Sequence, residues 1–337
     1  MKRSLLAAAV VGGGLALLAG AAAVRGQQAP VVTSLTLFAG TAEGLWRSTT
    51  WAGSWEPVSG KGSGVRLDGI GAVRAIHTYA NQVWLGGEGG LYLSEDFGET
   101  WARLSLTPGV RQALPSRWPP ADPTLFVGTG NGVLRSADGG RTFEPTALTG
   151  TTVHRLEWPS GALVAACDAG LLVSRDLGAH FEGPGKGLPP GPVRGMTLSS
   201  FFAVDPVLFA APESGGVFRS SDGAATWTAS GLSDDRVFDM AWLGPFLYAA
   251  GEKGFYRSQD AGASWTRLSE SPGRPTRLMF PMAPAAGLEA FLATDRGLYR
   301  TADAGEHWSP AGFAGQEVLT VATFPAPEPA PGKKQRR

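Results

Sequence analysis

The chain has 337 residues, of which 43% are apolar and 17% are charged, and its 29 basic and 29 acidic residues balance to a formal charge of zero. A chain of this length can bury a large core, and the lack of a basic excess argues against a nucleic-acid-binding protein. The 48 glycines, 25 prolines and 11 tryptophans are typical of many short strands joined by tight turns, so we expect an all-β protein.

The first element in chain order is an apolar segment. Two basic residues, Lys2 and Arg3, precede an apolar run from Leu5 to Val24, and a polar segment follows it. This order predicts a secretory signal within residues 1–26, cleaved after Ala23 or Gly26. The run of about 20 residues is also long enough to span a bilayer, so an uncleaved anchor is the alternative. Both interpretations place the protein outside the cytoplasm, as a periplasmic, secreted or membrane-anchored protein.

The body of the chain, residues 31–324, contains seven copies of a Gly-apolar-apolar-x-Ser/Thr stretch. Successive copies begin 46, 42, 38, 46, 38 and 43 residues apart, which is the length of one four-stranded propeller blade. The copies are GLWRSTTWAGSW from Gly44, GLYLSEDFGETW from Gly90, GVLRSADGGRTF from Gly132, GLLVSRDLGAHF from Gly170, GVFRSSDGAATW from Gly216, GFYRSQDAGASW from Gly254 and GLYRTADAGEHW from Gly297.

Further apolar segments precede most copies, and the aromatic residue near the end of each copy begins another strand, which gives four strands per copy. The first copy lacks the innermost strand, whereas the chain ends with an unassigned segment of the right pattern, EVLTVATF from Glu317 to Phe324. We therefore predict a seven-bladed β-propeller of four-stranded antiparallel blades, closed by this C-terminal strand pairing in blade one. We expect this propeller to be a monomer.

Six of the seven copies place an Asp two residues after the Ser or Thr. In the copy at Gly90, Ser94 and Asp96 offer oxygen acceptors to N–H groups of a turn, Gly98 can take a positive φ, and Trp101 begins the next strand. A catalytic carboxylate is needed at one location, whereas these are distributed round a ring. We interpret them as structural residues that organise hairpins. They are Asp96, Asp138, Asp176, Asp222, Asp260 and Asp303.

The repeated Ser-x-Asp-x-Gly-x-x-Trp pattern resembles the motif of the BNR or Asp-box family, and the resemblance covers nearly everything after the leader. The first copy departs from the motif, with Thr50 in the Asp position and Ala52 in the Gly position. Phe143 and Phe181 replace Trp in the third and fourth copies.

An exported, seven-bladed Asp-box protein without a second domain is similar to the photosystem II stability and assembly factors. That resemblance implies a non-enzymatic protein that assists a membrane-protein partner and presents an arginine-rich patch. The matching patch in this chain would be Arg74, Arg111 and Arg194. Similar propellers also occur in secreted proteins of unknown role, so the identity of the partner stays open.

A second repeated feature is basic and lies near the start of the innermost predicted strands. Guanidinium groups bind carboxylate or phosphate bidentately, so these residues are candidates for binding a protein or anionic partner. They are Arg74, Arg111, His154, Arg155, Arg194, Arg236 and Arg277. The alternative is that they pair with residues at neighbouring turn tips and form an inert charge belt. Those tips carry Glu43, Glu88, Asn131, Asp168, Glu213, Glu252 and Asp295.

A glycoside hydrolase is the alternative function, because sialidases and some endoglucanases use Asp-box propellers. Sialidases need a Tyr nucleophile with a Glu partner and an arginine triad, and the tyrosine outside the repeat positions is Tyr79, with no Arg-Ile-Pro type motif before it. Asp235, Asp239 and Glu157 are the other candidates for an acid pair, although acids in such places more often pair with Arg. We assign no catalytic residue.

No cofactor or metal is expected. His77 and His154 lie in different predicted blades and lack the local spacing of a zinc site, and no Gly-rich phosphate loop occurs. The single cysteine, Cys167, follows an apolar strand and is expected to be buried. Residues 325–337, with the sequence PAPEPAPGKKQRR, follow the last predicted strand. We expect them to form a disordered, Pro-rich and basic tail. Membrane contact would come only from the leader or this tail.

Overall fold

The computed structural model describes residues 35–60, 65–67, 70–104, 109–116, 121–158, 161–199, 206–281 and 288–325. The predicted leader and almost all of the predicted tail lie outside these residues. The described residues form strands and turns, and no helix among them has the length and apolarity needed to cross a membrane.

The strands form seven antiparallel sheets that follow one another along the chain, which confirms the predicted seven-bladed β-propeller. The first blade contains β1 (Leu35–Thr41), β2 (Gly44–Ser48) and β3 (Glu56–Pro57). The second contains β4 (Val73–Tyr79), β5 (Gln82–Gly87), β6 (Gly90–Ser94) and β7 (Ala102–Arg103). The third contains β8 (Val110–Pro115), β9 (Leu125–Thr129), β10 (Gly132–Ser136) and β11 (Glu144–Thr149). The fourth contains β12 (Val153–Glu157), β13 (Leu163–Cys167) and β14 (Gly170–Ser174).

The remaining blades repeat the same order of strands from the channel outward. The fifth contains β15 (Val193–Leu198), β16 (Leu208–Pro212), β17 (Phe218–Ser220) and β18 (Thr228–Ala229). The sixth contains β19 (Val237–Leu243), β20 (Phe246–Gly251), β21 (Gly254–Ser258) and β22 (Thr266–Glu270). The seventh contains β23 (Pro275–Met279), β24 (Ala290–Thr294), β25 (Gly297–Thr301) and β26 (Ser309–Gly312). The last strand, β27, spans Val318–Pro325.

Strand β27 closes the ring by serving as the innermost strand of the first blade. It pairs antiparallel with β1 from Thr41 opposite Val318 to Leu35 opposite Pro325, and it also contacts β4 and β23 of the two neighbouring blades. Closure by the C-terminal segment is therefore confirmed, and it removes the sheet edges that an open ring would leave unpaired.

The fourth blade differs from the prediction because its outermost strand is reduced to one bridge. Val173 and Glu182 form an isolated antiparallel pair beyond the three-stranded sheet. The next two residues are Gly183, which has a positive φ, and Pro184. Proline has no N–H to donate to a ladder, so the pairing ends at that point.

The hydrophobic core is divided among the interfaces between neighbouring blades. One cluster joins Phe38 of the first blade to Val73 and Leu85 of the second, and six further clusters join the other neighbouring pairs. Because both faces of each sheet are covered, most residues of the second strand in each blade are buried.

Small residues on the second strands let neighbouring blades approach closely near one end of the channel. A Cβ added at Gly40 would lie 2.5 Å from the carbonyl oxygen of Val73, and one at Gly86 would lie 2.2 Å from a methyl group of Val110. These contacts fix Val73 and Val110, the first residues of the innermost strands β4 and β8, against the preceding blade. The next residue of each of these strands is thereby held at the channel.

Candidate functional site

Each innermost strand contains a β-bulge at its second residue. In the second blade, Val73 pairs with Gly87 and Ala75 pairs with Gly86, so Arg74 has no partner residue on β5. A bulge redirects the side chain of the extra residue, and bulges are frequent beside active sites. The same register shift occurs in all seven blades. The bulged residues are Arg74, Arg111, His154, Arg194, Phe238, Thr276 and Leu319.

The bulged residues all line a cavity of about 460 Å³ at the channel. The second, third, fourth and fifth blades contribute the basic arc, which we define as Arg74, Arg111, His154 and Arg194. The sixth, seventh and first blades contribute Phe238, Thr276 and Leu319. The bulged residues are therefore basic on the side of the second to fifth blades. On the side of the sixth, seventh and first blades they are mainly apolar.

The structure brings all of the predicted basic residues to this cavity. They are Arg74, Arg111, His154, Arg155, Arg194, Arg236 and Arg277. Arg155 and Arg277 lie one residue beyond the bulges, and Arg236 directly precedes β19. Their role in binding stays a prediction.

Sequence reasoning missed the contribution of Phe238, Thr276, Leu319 and Arg274 to the cavity. A signal for the first three was present in the sequence. Each bulged residue directly follows the Val or Pro that begins its innermost strand, so the same position could have been compared across all copies.

The basic residues of the fourth to sixth blades are paired with carboxylates at the turn tips. Glu213 accepts a hydrogen bond from Arg194 Nη2 at 2.7 Å and another from Arg236 Nη2 at 2.8 Å. Asp168 Oδ1 lies 2.7 Å from His154 Nε2. The hydrogen bond from Arg194 lowers the pKa of Glu213. In the fourth to sixth blades, these basic residues and turn-tip carboxylates therefore form the charge belt that was the alternative to a binding site.

The second and third blades differ, because Arg74 and Arg111 lack such partners. Within the described part of the chain, neither guanidinium makes an ion pair or a side-chain hydrogen bond. Burial lowers the pKa of Arg111, and the positive charges of Arg74 and Arg194 lower it further, against the opposing effect of Asp168. This part of the mouth therefore carries positive charge that the described residues compensate only at a distance.

A salt bridge spans the innermost strand of the fifth blade beneath the basic arc. Arg155 Nη1 of β12 lies 3.0 Å from Asp239 Oδ1 of β19, and both side chains are largely buried. Strand β15 lies between these two strands, and its residue at the same register, Gly195, has no side chain to fill the space. Asp239 also accepts the N–H groups of Met240 at 3.0 Å and Leu278 at 2.8 Å. Arg155 is thus part of the floor of the mouth.

His77 lies deeper along β4 and lines the same cavity. Although its ring is partly exposed to the channel, the surrounding protein lowers its pKa to about 4, so the ring is neutral at pH 7. It packs edge-on against Trp84, with ring centroids 5.8 Å apart.

The acids considered for a hydrolase have other contacts in the structure. Glu157 lies 3.4 Å from Arg155 Nε, so it shares that guanidinium with Asp239. Asp235 is buried and accepts the Tyr256 hydroxyl at 2.8 Å and the Lys253 N–H at 3.1 Å. Burial, together with this carboxylate, raises the pKa of Tyr256 to about 12. These contacts hold the acids in place by hydrogen bonds.

The Ser-x-Asp turns lie at the opposite ends of the blades from the basic arc, as the strand register requires. Ser94 donates to Asp96 at 2.8 Å, Gly98 N–H donates to Ser94 Oγ at 2.8 Å, and Thr100 N–H donates to Asp96 at 2.8 Å. The other copies with Asp repeat this pattern. In the first copy, Thr50 Oγ1 accepts the Ser54 N–H at 2.8 Å instead.

Cys167 is buried and free, as predicted, and burial raises the pKa of its thiol. Among the described residues, no group of three or more His, Cys, Asp or Glu side chains could hold a metal ion.

No family model matches the sequence, and no curated protein matches it significantly. Solved structures do match in fold. The GH74 xyloglucanase from Xanthomonas campestris superposes with a TM-score of 0.54 at 19% identity, covering 71% of this chain and 45% of the enzyme. This chain therefore spans less than half of that enzyme's length.

Two other structural neighbours are not described as hydrolases. YCF48 bound to a D1 peptide has a TM-score of 0.52 at 16% identity, covering 70% of this chain and 80% of its own. The extracellular domain of a proposed one-component system from B. thetaiotaomicron has a TM-score of 0.55 at 11% identity, covering 82% of this chain and 45% of its own. At these identities the likeness concerns the fold alone, and the fold is that of a seven-bladed all-β propeller.

Proposed function

We propose that this propeller is a non-enzymatic extracytoplasmic protein that binds an acidic segment of a protein partner at its channel mouth. The observation that carries the proposal is the state of Arg74 and Arg111. Two bulges direct these side chains to one cavity, and within the described residues they have no ion-pair partner there. Guanidinium groups in this state are suited to hold carboxylates, with two parallel hydrogen bonds each.

The size of the cavity favours a chain segment over a folded domain as the part that enters. A volume of about 460 Å³ accommodates a few side chains. The structure of YCF48 with a D1 peptide supports a peptide ligand by analogy, since a protein of similar fold binds one. The apolar N-terminal run and the neighbour that is an extracellular domain support the location.

Binding of an acidic peptide tests the proposal directly. We expect an acetylated and amidated hexa-aspartate peptide to bind in isothermal titration calorimetry at low salt, with an affinity that falls as salt increases. The double variant Arg74→Ala/Arg111→Ala should bind at least about tenfold more weakly, because charge-assisted hydrogen bonds are lost. Its Tm should not decrease, since neither arginine has an ion-pair partner to lose within the described residues.

The matched control removes the same charge elsewhere. Arg103→Ala/Arg141→Ala changes two exposed arginines outside the cavity and should leave the affinity within about twofold of the parent. Equal weakening by both double variants would show nonspecific attraction and would overturn the proposal. Unchanged binding by the Arg74→Ala/Arg111→Ala protein would overturn it as well.

Hydrolase activity is the competing outcome and needs its own assay. The purified protein would be incubated with xyloglucan and with chromogenic glycosides, and released sugar or chromophore would be measured. We expect no turnover above buffer. Turnover that follows the propeller through purification would replace the binding function with a glycoside hydrolase.

A further inference from the structure

The basic arc contains one residue, His154, that can change its charge near neutral pH. Its ring lies between a carboxylate and a guanidinium. Nε2 is 2.7 Å from Asp168 Oδ1, and Arg194 Nη1 is 2.8 Å from Nε2 and 3.3 Å from Nδ1. The side chain of His154 is one-tenth exposed, so these neighbours dominate its surroundings.

Protonation of this ring changes its hydrogen bonds as well as its charge. Because Nε2 faces a carboxylate, the neutral ring carries its proton on Nε2 and donates to Asp168, which leaves Nδ1 as the acceptor 3.3 Å from Arg194 Nη1. The imidazolium ion has two donors and no acceptor. Protonation therefore ends the hydrogen bond from Arg194 to His154, while the contact with Asp168 becomes an ion pair.

Arg194 stays in place after that hydrogen bond is lost. Glu213 accepts from its Nε at 3.1 Å and from its Nη2 at 2.7 Å, so these two contacts hold the guanidinium at the mouth. Only Nη1 loses its hydrogen bond; it still lies 3.7 Å from Asp168 Oδ1, and Arg194 and His154 both line the cavity that holds Arg74 and Arg111. The protonated state thus presents one more positive charge and an Arg194 N–H group that no longer donates to His154.

We propose that anion binding at the channel mouth is proton-linked through His154, so that the affinity for an acidic segment increases as the pH falls. This inference rests on the proposed binding function and specifies how that function is regulated. A partner would be held more tightly in an acidic compartment and released as the pH rises.

The charged groups that face His154 from neighbouring elements support this direction. Arg111 of β8 and Arg194 of β15 are cationic, Asp168 follows β13 and is anionic, and Arg155 is the next residue on its own strand. Burial is the main cause that lowers the pKa of His154, and Arg194 and Arg111 lower it further against Asp168. The free site is therefore mostly neutral at pH 7.

The other titratable groups near the ring keep their charge through the same range. The pKa of Glu213 is lowered, first by its hydrogen bond from Arg194, and the pKa of Asp168 is also lowered, as its hydrogen bonds from His154 and Thr152 outweigh burial. Burial raises the pKa of Cys167 on β13, so its thiol stays protonated. Deeper in the channel, His77 has a pKa of about 4.

The sign of the linkage follows from these charges. A bound anion favours the imidazolium, so the pKa of His154 is higher in the complex than in the free protein. The affinity then rises as the pH falls between these two values, by at most about tenfold per pH unit for one proton, and is constant outside them.

Calorimetry measures this proton uptake directly. Hexa-aspartate is titrated into the full chain at pH 5.5, 6.5 and 7.5, each in two buffers of different ionisation enthalpy, and the difference in heat gives the protons bound per peptide. We expect uptake of a fraction of one proton and tighter binding at the lower pH. In His154→Asn and His154→Gln, both the uptake and the pH dependence should disappear.

The control variant is His180→Thr, which changes an exposed histidine in a turn where other copies have Thr and should behave as the parent does. The chain has four histidines, so their ring C–H resonances can be followed by NMR. The resonance that is absent in His154→Asn belongs to His154, and its titration should give a higher pKa when the peptide is bound.

The outcomes separate this inference from the function on which it rests. Absence of binding at every pH overturns both. Binding without proton uptake keeps the proposed function and overturns the role of His154. Uptake that persists in both His154 variants assigns the proton to another group and overturns it as well.

Discussion

Asp138 and Asp239 carry the same carboxylate in two different surroundings. Asp138 lies in a surface turn and accepts hydrogen bonds from the N–H and hydroxyl groups of Thr142 at 2.9 and 2.7 Å, and from the Ser136 hydroxyl at 2.8 Å. Asp239 is buried at the channel and faces a guanidinium. In both places neighbouring donors form hydrogen bonds to the carboxylate oxygens, so both residues stabilise the fold. The repetition of the Ser-x-Asp turn along the chain predicts this role for Asp138.

The surface turns should make the stability of the protein sensitive to strong acid. The hydrogen bonds from Thr142 and Ser136 lower the pKa of Asp138 to about 2, below the value of about 3.9 for an unfolded chain. The stabilisation is therefore complete above about pH 4 and is lost as the pH falls towards 2. We expect Asp138→Asn to lower the Tm by a few degrees at pH 6 and to make its dependence on pH between 4 and 2 less steep, while the other turn carboxylates keep the rest of that dependence, as measured by circular dichroism.

The control for this variant is Asp234→Asn, which changes an exposed aspartate outside the Ser-x-Asp turns. It should leave both the Tm at pH 6 and its slope at low pH unchanged. If the Asp138→Asn protein melts like the parent at every pH, the turn carboxylates do not contribute to stability as described.

Among the elements, β27 has the largest structural consequence because it joins the two ends of the ring. It pairs with β1 along its whole length, and residues such as Val321 and Phe324 are buried against neighbouring blades. Without it, the first blade would expose a strand edge and two core clusters would open.

We expect a chain that ends at Gln316 to lose cooperative unfolding or to form oligomers through the open edge. Circular dichroism melts and size-exclusion chromatography with light scattering would show this. A chain that ends at Pro325 keeps every described strand and serves as the control, with an expected Tm within about 2 °C of the parent. A truncation at Gln316 that stays monomeric and melts at the parental temperature would show that β27 is not needed for closure.

Strand elements were predictable from the sequence because each copy repeats its apolar pattern and its turn chemistry. The number of blades and the closing strand followed from counting these patterns, and the structure confirms both. The loss of the outermost strand of the fourth blade was harder to predict, since it depends on two residues of a single copy, Gly183 and Pro184. The bulges were not predicted either, because a one-residue register shift depends on how the blades contact one another.

At the scale of the whole molecule, the basic arc and the described chain ends lie on opposite faces. Thr41 and Val318 meet at the face of the mouth, whereas Leu35 and Pro325 meet at the face of the Ser-x-Asp turns. The mouth therefore lies on the face away from the points where the described chain begins and ends.

Sequence reasoning named seven basic residues that the structure places at the cavity, and it missed Arg274. The positions of those seven follow from the repeat, whereas their pairing with acidic residues does not. Glu213, for example, reaches Arg194 and Arg236 from the preceding turn tip only through particular side-chain conformations. The pairing separates Arg74 and Arg111 from the rest, and this difference carries the proposed function.

The bridge from Arg155 to Asp239 joins the fourth and sixth blades over the innermost strand of the fifth, so its loss should affect the packing of three blades. Without Arg155, the buried carboxylate of Asp239 keeps only Arg277 Nη1, 3.9 Å away, as a cationic neighbour, and breaking a buried pair costs about 3–5 kcal/mol. We expect Arg155→Met to lower the free energy of unfolding in urea by about that amount, and the double variant Arg155→Met/Asp239→Asn to lose less than the sum of the single changes.

Arg236→Met is the matched control for this bridge, because that arginine is 43% exposed and its partner Glu213 is 33% exposed. Solvent screens such a pair, so its loss should cost about 0–1 kcal/mol. The contrast between the two variants decides where the ring is held together. If Arg155→Met is no more destabilising than Arg236→Met, the buried bridge is not a structural link between the blades, and packing at the blade interfaces alone maintains the channel.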